Sequence, residues 1–274
     1  SRVPLRNKEV VVIIDSNALP FDGTGSDLSS TNAADAIKEV NSKTYTRRTR
    51  QNITSKIANL PQAIAEQNLE KYGYAIGDYF VGASGYKYSI ADYDTYYAGY
   101  IDHSVIDTHH IAVIVDTDLT SSWASSGTAG MYSASTLHSL LTDTVLTNIK
   151  SDLTTLFGDW SNHLLSHQML NNGINTWGST DTMWLNNTFV MALNEIEVYG
   201  SIVFGADGYQ IGTSKKKLEI FSKYAVNEIF ANKDIWLKAL VSSTEACSAN
   251  MNGAASKYNV GNTTLKVAGL ILLR

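Results

Sequence analysis

The chain has 274 residues, enough for one or two domains with a sizeable core. Its net charge of −5 and pI near 5.6 exclude a global basic field that would draw in nucleic acid or an anionic membrane. A single cysteine, Cys247, excludes an internal disulfide and a cysteine-based zinc cluster.

In chain order, Glu9–Ile14 reads as a strand, being short, β-branched and ended by Asp15-Ser16-Asn17. A turn cluster at Phe21–Ser26 leads to a helix over Ser29–Val40, with Thr31 or Ser30 as cap and a thin apolar stripe of Ala33, Ala36, Ile37 and Val40. Arg47, Arg48 and Arg50 form a dense basic run, read either as a solvated linker or as a contact for an acidic partner. Asn52–Lys71 is expected to be helical, with Pro61 dividing it into two short pieces.

From Tyr72 the texture turns β-rich. Ile76–Phe80 and Tyr86–Ile90 flank Gly82-Ala-Ser-Gly85 and predict a hairpin. His110–Val115 is apolar on both faces and predicts a buried central strand. Thr136–Trp160 is the strongest helix, with Leu137, Leu140, Leu141, Val145, Ile149, Leu153 and Leu156 at three- and four-residue spacing. Asp143, Lys150 and Asp152 are assigned to its polar faces, Gly158 to its stop, and Ser161–Leu170 to a further turn or two. Ile196–Phe204, Trp236–Val241 and Leu265–Leu273 read as strands, the last two separated by a polar stretch, Ser242–Thr264.

The uncharged polar residues stand out. Ser, Thr, Asn and Gly make up 93 of 274 positions, Tyr another 15, and charged residues only 17%. Two readings compete: a β-rich protein with many polar loops, or a surface that uses adaptable hydrogen bonding and rigid rings to adhere.

The sequence carries few catalytic patterns. His163 and His167 have the i, i+4 spacing of a metal pair if helical, but Leu164 stands where a metalloprotease needs Glu, and polar packing is the simpler role. His109 and His110 are expected to bond backbone. Asp15-Ser-Asn17 and Asp116-Thr-Asp118 lack the Gly and Glu of a calcium loop. Cys247 is expected to be buried or incidental. A glycan hydrolase would need two spaced carboxylates, and Glu195, Glu197 and Asp92 cannot be paired from sequence.

Two resemblances follow from ordered motifs. Phe21–Lys43, with Asp22-Gly-Thr-Gly25, Leu28–Asn32 and Asp35–Asn41, resembles a segment of virion-proximal, usually trimeric bacteriophage fibre shafts. The second covers Tyr72–Arg274: Ile76-Gly-Asp-Tyr79, Gly82–Tyr86, Thr108-His-His110, Leu146–Ile149, His163–His167, Leu193–Gly200 and Trp236–Ala239 stand in a familiar order. This set is similar to a C-type-lectin-like domain found in phages and prophages of gut bacteria, related to the variable adhesins of diversity-generating retroelements. The fold implied is α+β, with short twisted antiparallel sheets and one main helix, preceded by a small strand-plus-helix fibre segment. The organisation implied is an attachment segment at 1–50, a helical linker at 51–71 and the lectin-like domain at 72–274.

That resemblance implies a ligand surface within Ser242–Thr264, at Ser243, Glu245, Ser248, Asn250, Asn252, Lys257, Tyr258 and Asn259. It implies a non-enzymatic homotrimer in the virion, bound to other virion proteins through its N-terminal segment and to a host surface glycan or protein through the domain. No cofactor, metal, nucleic acid or membrane insertion is expected. The alternative is a purely architectural virion component, such as a head fibre or collar protein. Lys238-Ala239 replaces the family's usual Arg-Ser, and Lys266–Gly269 replaces its Gly-Val-Arg-Pro, removing a planar hydrogen-bond fork and a rigid turn.

Overall fold

The computed structural model describes residues 48–97, 106–174, 180–205, 216–231 and 233–274. The expectations for residues 1–47, including the strand at 9–14, the helix at 29–40 and the fibre-like segment, lie outside the described residues. The described strands are β1 (Tyr79–Val81), β2 (Lys87–Tyr93), β3 (Ile111–Thr120), β4 (Leu164–Leu165), β5 (His167–Ile174), β6 (Thr180–Thr188), β7 (Ile235–Leu240), β8 (Glu245–Ala249), β9 (Ala255–Asn259) and β10 (Lys266–Leu273). The main sheet runs β1-β2-β3-β10-β7-β8-β9, with β4 also on β10, while β5 and β6 form a separate hairpin. Neighbours are antiparallel except β10 and β7, which run parallel where Lys266 faces Ile235.

The expected central strand is central. β3 lies between β2 and β10, and is buried from Ile111 to Thr117. β10 is buried throughout. Both strands carry apolar side chains at successive positions because both faces of the sheet are covered.

One cover is the long helix. It runs as α2 (Thr136–Leu140), a wide π turn (Leu141–Val145) and α3 (Leu146–Phe157). Ser135 accepts from the His138 N–H at its start, and Gly158 ends it at φ 88°. Leu137, Leu141, Val145, Ile149 and Leu153 are fully buried along one stripe. Asp152 is not on a solvent face as expected. It is 1% exposed and accepts from the Tyr88 hydroxyl (2.7 Å), the Ser84 hydroxyl (2.5 Å) and the Ser84 N–H (2.9 Å). This ties the helix to the β1–β2 hairpin, and a Cβ on Gly82 would collide with the Asp152 carboxylate.

The other face is set by a bulge in β2. Ile90 opposes Val113 but Asp92 opposes Ala112, so Ala91 is the extra residue. The shift turns Asp92 away from the helix side and toward α5 (Glu219–Lys223), where it accepts from the Glu219 N–H and pairs with Lys216. Ser89 faces the same way and accepts from Arg50. Arg50 also donates to the carbonyls of Gly77 and Glu228 and lies over the rings of Tyr79 and Tyr224. It is therefore bound within the chain, neither a solvated linker residue nor an open contact for a partner.

The described fold is mixed α and β, with a core that is mostly sheet and few helices. Three segments depart from expectation. Residues 51–71, read as a helical linker, contribute Ile53, Ile57, Leu60, Ala63 and Ile64 to the buried core, in 3-10 turns around α1 (Leu60–Ala65). Pro61 sits in the first turn of α1, where its missing N–H costs nothing. Ile196–Phe204 is not a strand: α4 (Glu195–Tyr199) forms because Asn194 and Glu197 make a reciprocal capping box, and Gly200 stops it at φ 83°. After a short turn at Trp160–Asn162 the chain enters β4 and β5, so His163 and His167 are not helical and do not share a helix face.

Candidate functional site

The polar stretch expected between the last two strands is itself a hairpin. Glu245–Ala249 pairs with Asn259–Ala255, and β9 is the sheet edge. Its alternation of small residues, Ala-Cys-Ser-Ala against Ser-Lys-Tyr, carries no strong hydrophobic period, so the sequence hid it.

Antiparallel pairing puts opposed residues on one face. Glu245, Cys247, Lys257 and Asn259 share one face, and Ala246, Ser248, Ser256 and Tyr258 the other. Ser243 lies in the β7–β8 turn, while Asn250 and Asn252 lie in the β8–β9 turn at the far end of the strand. The eight expected ligand residues thus do not form one surface.

Ser243, Asn252, Lys257 and Asn259 are exposed. Lys257 pairs with Glu245 at 3.0 Å, an exposed ion pair worth less than about 1 kcal/mol. Asn250 Oδ1 accepts from the N–H groups of Asn252 and Ala254, and Asn259 Oδ1 accepts from the Gly261 N–H. Their carboxamide oxygens build turns, so what these two residues can offer a ligand is the NH2 end. Ser248 does not belong to a ligand surface: it is 0% exposed in a strand buried on both faces from Ala246 to Ala249, so its hydroxyl cannot reach a ligand there.

Tyr258 is held rather than presented. Its hydroxyl donates to Asp234 Oδ2 at 2.5 Å, and its ring meets Trp236 edge-on. That hydrogen bond, with partial burial, raises the phenol pKa. Asp234 Oδ1 also accepts from the Met251 N–H at 2.6 Å, joining the turn to the base of β7.

A second loop joins the Ser243 end. The Ala129 N–H donates to Ser243 O, the Ala124 N–H to Val260 O and the Val260 N–H to Thr244 O. This brings the exposed Ser125, Ser126 and Thr128 beside Ser243 and Asn259. The run Ser125-Ser126-Gly127-Thr128 was the available signal for this loop.

The chemically suggestive groups are spent inside. Glu195 accepts from the N–H groups of Val203, Phe204 and Gly205. Glu197 accepts from the Asn194 N–H and the Tyr96 hydroxyl. With Asp92 bound by α5, none of these three carboxylates is presented as a spaced hydrolytic pair. Cys247 is buried, and its burial next to Glu195 pushes the thiol pKa up. Lys238 is 2% exposed, and burial brings its pKa down to about 8 against the opposing pull of Glu197. The Asp116-Thr-Asp118 stretch holds the Lys266 ammonium, at 2.9 Å from Asp116 and 3.1 Å from Asp118. His110 bonds backbone as expected, through Thr108 O and the Tyr96 N–H, but His109 bonds the Asp94 carboxylate at 2.6 Å.

No family model, curated protein or solved structure matches this chain. Among the described residues no three His, Cys, Asp or Glu side chains gather as a metal site, and no helix is long and apolar enough to cross a membrane.

Proposed function

We propose that this chain is a bacteriophage virion structural protein, a tail or head fibre, which holds the host surface through a C-type-lectin-like domain over residues 72–274. In this reading the segment 1–50 attaches the chain to other virion proteins and helps form a homotrimer. The partner outside is a host surface glycan or protein, and the role is adhesion without catalysis or cofactor.

The observation that carries the reading is the charge-poor loop surface of Ser243, Asn259, Ser125, Ser126 and Thr128 beside the exposed Lys257. Short hydroxyls and amides lose little side-chain entropy on binding. Three copies on one fibre would turn weak single contacts into firm attachment. The test is binding of labelled full-length protein to gut bacterial cells, compared with the variant S243A/K257A/N259A. Adhesion predicts cell binding by the parent that falls at least ten-fold in the variant; no cell binding by the parent removes the reading.

A second reading is favoured by one feature. β9 is an edge strand five residues long, with no further strand paired to its outer side among the described residues. A purely architectural virion component would use that edge for strand addition by a neighbouring protein.

A further inference from the structure

A cleft of about 490 Å³ opens near the opposite edge of the main sheet, its lining including Gln67, Asn68, Glu70, Tyr74, Tyr93 and Glu219. We propose that this cleft is a saccharide site that takes a short, neutral, hydroxyl-rich segment. The proposal leans on the adhesion reading only for the source of the sugar. The site itself stands on its lining.

The cleft is built by three elements that the fold holds rigidly. Leu69, Ala75 and Ile76 are its apolar lining. Tyr74 and Tyr93 also line it, and neither ring is free to swing. The Tyr74 hydroxyl donates to Lys56 O at 2.5 Å, and the Tyr93 hydroxyl to Ile64 O at 3.0 Å. On the far rim α5 is fixed by the Asp92 cap, and Glu219 pairs with Lys223 at 2.6 Å. Its volume lies within the roughly 300–1,000 Å³ of small-molecule sites.

The near rim carries the polar groups with capacity to spare. Gln67 stands at φ 54°, a left-handed conformation that costs a non-glycine residue roughly 1 kcal/mol or more. Its N–H is bound to Ile64 O, but its carboxamide has no hydrogen-bond partner among the described residues. The same holds for the Glu70 carboxylate, and both residues are exposed. Asn68 Oδ1 accepts from the Lys71 N–H, leaving its NH2 as the free end.

Charge and shape choose the ligand. A carboxylate next to two carboxamides accepts and donates at closely spaced points, the pattern that matches vicinal hydroxyls. Two carboxylates stand against one lysine, which already pairs with Glu219. Acidic sugars and phosphates would therefore be repelled by the uncompensated Glu70.

The experiment displays full-length protein on an array of neutral hexose and N-acetylhexosamine oligosaccharides alongside sialylated and uronate ones. Glu70→Ala and Gln67→Ala are run with Ser151→Ala, at an exposed position of the long helix, and thermal melts confirm that each variant is folded. The expected result is binding to neutral glycans that falls at least ten-fold in both cleft variants and is unchanged in Ser151→Ala. No neutral-glycan binding, equal binding by the cleft variants, or preference for acidic glycans overturns the proposal. Binding of neutral glycans through the cleft without binding of whole cells would keep this site and remove adhesion. Cell binding that only S243A/K257A/N259A weakens, with no glycan bound on the array, would do the reverse.

Discussion

Asp234 accepts from the Tyr258 hydroxyl and the Met251 N–H and so fixes both the edge strand and the turn that precedes it. Asp234→Ala removes a charged acceptor from two donors and should cost about 1–3 kcal/mol in denaturant unfolding, with faster amide exchange at Met251. His167 gives a pH signature. It is buried, its Nδ1 has no hydrogen-bond partner among the described residues, and burial lowers its pKa to about 3. Burial lowers the pKa of His110 and His138 as well. A folded-state pKa below the unfolded one means that the unfolded chain takes the proton first as pH falls. The stability is therefore complete above about pH 6.5 and is lost progressively toward pH 3, by roughly 4 kcal/mol from His167. Unfolding free energy measured from pH 7.5 to pH 4 should fall steeply, and His167→Gln should flatten the slope.

At the scale of elements, the helix and the hairpin meet through one carboxylate. Gly82→Ala would push a methyl group into Asp152 and part α3 from the β1–β2 turn. An overpacking cost of about 1–3 kcal/mol is expected, read as a lower midpoint of thermal unfolding. The elements legible in the sequence are those whose burial leaves a pattern. β3 and β10 are apolar on both faces, the helix from Thr136 to Phe157 keeps a stripe, and the β1–β2 hairpin has its Gly-rich turn. Illegible were the elements decided by single polar contacts. α4 owes its form to the Asn194–Glu197 box against a β-branched run, and β8–β9 is made of small residues whose buried members, such as Ser248, look like surface. Buried charges were illegible for another reason: Lys266 finds Asp116 and Asp152 finds Ser84 only after the chain has folded across long separations. Of the expected ligand residues, the exposed Ser243, Asn252, Lys257 and Asn259 keep a surface role open, while Tyr258 and Ser248 belong to the packing.

For the molecule as a whole, the two edges of the main sheet offer different things. One ends in β9, a polar strand edge flanked by Ser/Thr/Asn loops, and the other lies by a concave, carboxamide-rimmed cleft. Adhesion needs at least one of them to face outward, whereas an architectural role would pack the β9 edge against a neighbour. Under the proposed virion role, a cryo-electron reconstruction of the particle in question separates these outcomes. The expected result is the chain in a fibre, with residues 1–50 against other virion proteins and Ser243, Lys257 and Asn259 exposed away from the particle. A particle that lacks the chain, or one in which β8–β9 is buried against another virion protein, would contradict it.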